Sequence, residues 1–322
     1  YAIVAAGSLL GVALHQGTSF PVGKVDFLDL YPLNFREFLC AMGEKQFVSM
    51  LDSCDTQMVT VFKTKYIERL REYYFVGGMP EVVKDFSEKK DYNRVRAIQK
   101  NLINYYQQDF SKHAEIKLVP RLNLVWNSIP MQLAKENKKY IYGQVREGSR
   151  AKDFELAIQW LLDCGLIHKV QRIQKPDLPL KAYIDFDAFK LFLVDIGLLI
   201  AMTDLDAKVI IEGNKIFTEF KGSLTEQYIL QQLISDVGVI PYYYSTQNSK
   251  GEIDFLVQGK TSVIPIEVKA EENLKAKSLK AFCEKYQPSY AVRTSMSDYR
   301  EQDWMTNIPL YAVKWIKNYV NQ

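Results

Sequence analysis

Two short runs near the C-terminal end, Ile253-Asp254-Phe255-Leu256-Val257 and Ile264-Pro265-Ile266-Glu267-Val268-Lys269, constrain this chain most. Ile253, Phe255 and Val257 alternate in the first, and Ile264, Ile266 and Val268 in the second, which is the period of two of half-buried strands. Gln258-Gly259-Lys260-Thr261 separates them as a hairpin turn. With the loop at 259–262, Asp254 falls opposite Glu267, and Lys269 shares their face because it is two residues further on. Two carboxylates and an ammonium on one polar face suit Mg²⁺ (or Mn²⁺), a hard cation that takes one or two carboxylates and leaves positions for water and substrate phosphate. Lys269 would then orient a water or stabilise charge developing on phosphate. The same residues would also make an ordinary solvated strand face with one ion pair.

Composition removes several other possibilities. At 322 residues, with 48% hydrophobic and 25% charged residues, the chain has the make-up of a globular protein of two or three domains. Its net charge of +3 points to no particular partner. Cys40, Cys54, Cys164 and Cys283 form no close pair and have only His15, His113 and His168 for company, so neither a zinc site nor a nucleophilic triad emerges and free thiols in a cytoplasmic setting are expected. The apolar run from Leu191 to Met202 is broken by Asp195 and is too short for a membrane span, and no secretory signal is visible.

The Asp254, Glu267-Val268-Lys269 pattern resembles the PD-(D/E)XK nuclease fold, in which an Asp and a Glu-x-Lys on the next strand form the core site. In one branch of that fold a further glutamate comes from the preceding helix. Glu226 stands where that residue belongs, on a segment whose Leu230, Leu233 and Ile234 give it an apolar face at helical spacing. The resemblance implies Glu226, Asp254, Glu267 and Lys269 as catalytic residues, with the three carboxylates holding the metal.

A second resemblance covers nearly the whole chain. Ala5-Ala6-Gly7-Ser8-Leu9-Leu10, the stretch from Phe20-Pro21-Val22-Gly23-Lys24 to Leu39, and Val76-Gly77-Gly78-Met79-Pro80-Glu81 are similar to a bacterial and archaeal family of AAA-type P-loop ATPases that carry a C-terminal domain of unknown function on the nuclease core. This implies an α/β and α-helical multidomain chain. Residues 1–33 would be a remnant of the ATPase domain, 34–204 a helical region with a winged-helix domain, and 205–322 a nuclease-like, restriction-endonuclease-like α/β domain. The phosphate loop and the Mg²⁺-binding acidic strand would lie upstream of Tyr1, so ATP belongs to the parent protein. Gly17 to Val25 is no substitute, having one residue too many between its glycines and Val25 where a Ser or Thr would hold Mg²⁺.

Apolar residues three and four apart predict helices over Asn34–Leu51, Thr56–Tyr74 and Tyr92–Phe110, with Asn34 as N-cap and Glu37 completing a capping box. Asp153 to Leu162 reads as an amphipathic helix stopped by Gly165, followed by a hairpin of Ile167–Val170 with Lys181–Phe186. Leu191 to Asp195 reads as a buried strand or helix start with a capping Asp, and Pro241 to Tyr244 as a strand. Helix, turn, helix and hairpin resemble a winged helix, placing Arg146, Arg150 and Lys152 at the entrance of the second helix, where DNA-binding versions meet nucleic acid. Lys275 and Lys277, on the helix expected after Lys269, are further candidates for phosphate contact. Two functions follow as expectations. One is a Mg²⁺-dependent phosphodiesterase acting on nucleic acid, DNA above all, in the C-terminal part of an ATP-binding ATPase. The alternative is a non-catalytic module that recognises nucleic acid or a protein partner and regulates the ATPase.

Overall fold

The computed structural model describes residues 23–24, 26–135, 138–212, 218–246, 251–271 and 276–322. The Ala5–Leu10 motif, most of the expected ATPase remnant and Lys275 lie outside them. The described chain is mixed α/β. Nine helices, from Phe35–Ala41 to Ala151–Asp163, lead into an eight-stranded sheet.

Asn34 caps the first of these helices as expected. Its side chain accepts from Glu37 N at 3.0 Å, and Glu37 Oε2 accepts from Asn34 N at 2.8 Å. The single helix expected to Leu51 is instead two, Phe35–Ala41 and Lys45–Asp52, because Gly43 turns the chain at φ +82°. The helix expected from Thr56 is likewise divided, into Thr56–Val61 and Lys63–Val76. Tyr92–His113 runs unbroken.

The strands are β1 (Ile167–Ile173), β2 (Ile184–Leu193), β3 (Tyr242–Ser245), β4 (Glu252–Gln258), β5 (Val263–Val268), β6 (Val292–Ser295), β7 (Arg300–Gln302) and β8 (Met305–Pro309). Their order across the sheet is β2-β1-β3-β4-β5-β6-β8-β7. The expected hairpin is β1 with β2, but its second strand begins later than Lys181, after a short 3₁₀ turn at Leu180–Tyr183. β1 also pairs in parallel with β3 through Arg172 and Ile173, opposite Tyr243 and Tyr244. The sheet therefore runs across residue 204, where two domains were expected to meet.

The core crosses the same point. Helix Thr218–Gln232 lies at its centre, with Tyr228 edge-on to Phe35 and Tyr73 at centroid distances of 6.4 and 5.8 Å. Each such aromatic contributes about 1.5–3 kcal/mol by leaving water. At the C-terminal end Tyr311 stacks on Tyr66 at 4.9 Å, and Trp315 Nε1 donates to Leu51 O at 2.7 Å.

A buried polar network holds these parts in register. Gln227 Oε1 accepts from Leu193 N at 3.0 Å and its Nε2 donates to Leu193 O at 2.7 Å, satisfying the end of β2. One turn on, Gln231 Nε2 donates to Asp195 at 3.2 Å and to Tyr73 Oη at 2.9 Å. Asp195 caps helix Ile196–Met202 by accepting from Leu198 N, and also accepts from Gly78 N at 2.6 Å. This explains the Gly77-Gly78 pair. A Cβ on Gly77 would lie 2.2 Å from Asp195 Oδ1, and one on Gly78 would lie 2.1 Å from Leu33 O.

Candidate active site

In the β4–β5 hairpin Phe255 pairs with Ile266 and Gln258 with Val263, so the same register continued one residue sets Asp254 opposite Glu267. Gly259 N closes the turn on Ser262 O at 2.9 Å. Asp254 Oδ2 accepts from Val268 N at 2.7 Å, which ties this carboxylate to the Glu-x-Lys strand. All six residues of β5 are buried because β4 and β6 flank it, and Glu267 is 4% exposed. Its Oε1 pairs with Lys269 Nζ at 2.6 Å.

Glu226 reaches the group from helix Thr218–Gln232. Ser223 Oγ, donating to Leu133 O at 2.6 Å, and Tyr228 Oη, donating to Leu310 O at 3.0 Å, fix that helix on either side of Glu226. Glu226 is 6% exposed, and its charge acts on Asp254, Glu267 and Lys269. Sequence reasoning missed three further members. Lys138 pairs with Glu226 Oε1 from the stretch between helices Val119–Leu133 and Tyr142–Val145. Lys190, on β2, pairs with Glu252 on β4 and lies 3.8 Å from Glu226 Oε2, its ammonium 4.8 Å from the centre of the Tyr243 ring. A lone lysine in the apolar run Ala188 to Leu193 was a legible signal for Lys190. Nothing local marks Lys138.

The charges divide the carboxylates into two kinds. Burial pushes Glu226 up, but the ammoniums of Lys138 and Lys190 outweigh it and hold the carboxyl below its ordinary value. Asp254 is raised well above the ordinary range, first by burial and then by the charges of Glu226 and Glu267. Glu267 is also raised, by burial, despite the Lys269 ammonium. Lys269 itself is raised, since Glu267 and its carboxylate neighbours outweigh its desolvation.

A metal ion is a separate matter. Among the described residues no group of three or more His, Cys, Asp and Glu side chains stands together as a ready metal cage. Lysines hold Glu226 and Glu267 instead. The donors nevertheless fit a hard cation. They are oxygens only, and Glu226 Oε2 and Glu267 Oε2 are buried without a hydrogen-bond donor.

Four of the nucleic-acid candidates fall among the described residues. Arg146, Arg150, Lys152 and Lys277 are all exposed. Helix Ala151–Asp163, the second helix of the expected winged helix, shows solvent a mixed face of Lys152, Glu155, Leu156, Gln159 and Asp163. Among the described residues no helix is long and apolar enough to cross a membrane.

Two family models match the chain. Residues 67–209 match a domain of unknown function, DUF8612, and residues 221–313 match another, DUF4143. No curated protein and no solved structure matches it. The two matched segments share one sheet and one core, and the site draws on both. Lys138 and Lys190 belong to the first segment, and Glu226, Glu252, Asp254, Glu267 and Lys269 to the second.

Proposed function

We propose that the chain carries a divalent-metal-dependent phosphodiesterase site of the PD-(D/E)XK nuclease kind, within the C-terminal part of an AAA-type ATPase. The observation that carries the reading is the Asp254–Val268 contact. It ties Asp254 on β4 to the strand that carries Glu267 and leads into Lys269, while Glu226 approaches from a packed helix. Asp254 and Glu267 would hold the ion, as two carboxylates suffice for Mg²⁺ when water and a phosphate oxygen complete its shell. When bound, Mg²⁺ or Mn²⁺ supplies Lewis acidity toward a phosphoryl oxygen and the attacking water. Lys269 keeps its proton and, beside Glu267, places a positive charge where the phosphate gains negative charge. Lys190, 1% exposed, keeps Glu226 and Glu252 in place.

A second reading is favoured by one observation. Lys138, Lys190 and Lys269 already pair with the carboxylates, as they would in a module that keeps the fold and binds nucleic acid or a protein without cutting. Calorimetry with Mn²⁺ on the chain and on an Asp254→Asn, Glu267→Gln double variant separates the two. Binding by the parent and its loss in the variant supports the metal site, and cleavage assays on labelled DNA and RNA then follow. Equal absence of binding in both proteins sinks the enzymatic reading and leaves the recognition module.

A further inference from the structure

We infer that Lys138 is a substrate-phosphate contact, which makes the site a composite of the two matched segments; this rests on the metal-dependent reading above. Two ammoniums face Glu226, and their surroundings differ. Lys190 is 1% exposed and is engaged by Glu226, Glu252 and the Tyr243 ring, so it is a positioning residue. Lys138 is 12% exposed at its side chain and pairs with Glu226 alone among the described residues. It therefore combines access to the site with a single bond to exchange.

The charge balance states what it would exchange that bond for. Glu226, Glu252, Asp254 and Glu267 face Lys138, Lys190 and Lys269, and the buried Arg293 guanidinium also acts on Glu267, so four acids meet four cations. A divalent cation would add net positive charge to this group, which a phosphate group would offset. Glu226 Oε2 and Glu267 Oε2 are buried and accept no hydrogen bond, the Lys190 ammonium standing 3.8 Å from the former. With Asp254 and Glu267 holding an ion, Glu226 would keep Lys190 as its counter-charge and Lys138 would be able to exchange its bond for one to a phosphate oxygen.

The test uses the full chain, Lys138→Ala and Lys138→Arg. Mn²⁺ binding is read by calorimetry, and binding of a fluorescein-labelled DNA duplex by anisotropy over a salt series, with Ca²⁺ present or absent. For Lys138→Ala the inference expects Mn²⁺ affinity within about threefold of the parent or tighter. It expects metal-dependent DNA affinity to fall about tenfold, and the salt slope to drop by about one. Lys138→Arg, which keeps the charge, should recover most of the DNA affinity. Unchanged DNA affinity and slope in a Lys138→Ala protein that still binds Mn²⁺ would overturn the inference while leaving the metal site standing. Loss of Mn²⁺ binding in Lys138→Ala would overturn it too, by making the lysine a support of the metal site. Absence of Mn²⁺ binding in the parent removes the reading beneath both.

Discussion

Replacing Gly77 by alanine brings a methyl carbon to 2.2 Å from Asp195 Oδ1, 2.8 Å from its Oδ2 and 2.8 Å from Gly197 N. Gly77 has φ +74° and ψ −165°, a region open essentially to glycine, and a side chain there costs about 1–3 kcal/mol before any clash. To reach ordinary contact the Asp195 carboxylate must retreat by more than an ångström. That breaks its 2.6 Å bond from Gly78 N and loosens those from Leu198 N and Gln231 Nε2. Leaving a buried charged acceptor short of one donor adds about 1.5–3 kcal/mol, so Gly77→Ala should cost about 3–6 kcal/mol. Gly43→Ala is the control, because Gly43 has φ +82° and open space where its Cβ would go. It should cost only the backbone penalty of about 1–2 kcal/mol. Urea denaturation followed by near-ultraviolet circular dichroism measures both. If the two variants differ by less than about 1 kcal/mol, the close approach to Asp195 is not what demands glycine at this position.

Gln227→Leu strands the N–H and C=O of Leu193 at the end of β2 and should cost about 2–4 kcal/mol in the same assay; a cost below 1 kcal/mol would mean that water replaces the amide. Burial lowers the half-buried His168 imidazole from 6.5 to about 4. The unfolded chain therefore takes the proton first, and stability present above pH 6.5 is lost as pH falls toward 4, by about 1–3 kcal/mol. His168→Gln should flatten that part of the stability profile, and an unchanged slope would assign it to another group. Leu156 is 70% exposed on helix Ala151–Asp163, so Leu156→Lys should shift stability by less than about 0.5 kcal/mol; a larger thermal shift would show that this face is covered.

Features set by neighbours in sequence were the most legible. The Asn34–Glu37 box, the capping role of Asp195, the glycine stop at Gly165 and the β4–β5 register all follow from local chemistry, and the structure shows each. The break at Gly43 was hidden because Phe38, Leu39, Phe47 and Val48 are buried on both sides of it and the apolar pattern runs on without interruption. The start of β2 was misplaced because the strand is buried from Ala188 to Leu193, where alternation disappears. Long-range partners left the weakest trace. Gly77 and Gly78 fall between the helices expected to Tyr74 and from Tyr92, yet the reason for two glycines there lies in Asp195 and Leu33. Lys138 meets Glu226 across 88 residues and has no local pattern to reveal it.

The joint between β1 and β3 also decides what the sheet offers to other molecules. At one border β7 is three residues long and carries Arg300 and Glu301 exposed, a poor template for another strand. At the other border the Leu193 end of β2 is satisfied by Gln227. Between them β1 covers the flank of β3, whose Tyr242, Tyr243 and Tyr244 are buried. A chain cut at residue 204 would bare that aromatic flank and lose Lys138 and Lys190 in the same stroke. Such a fragment would be sticky as well as short of charge, pairing with copies of itself through the flank that β1 now occupies.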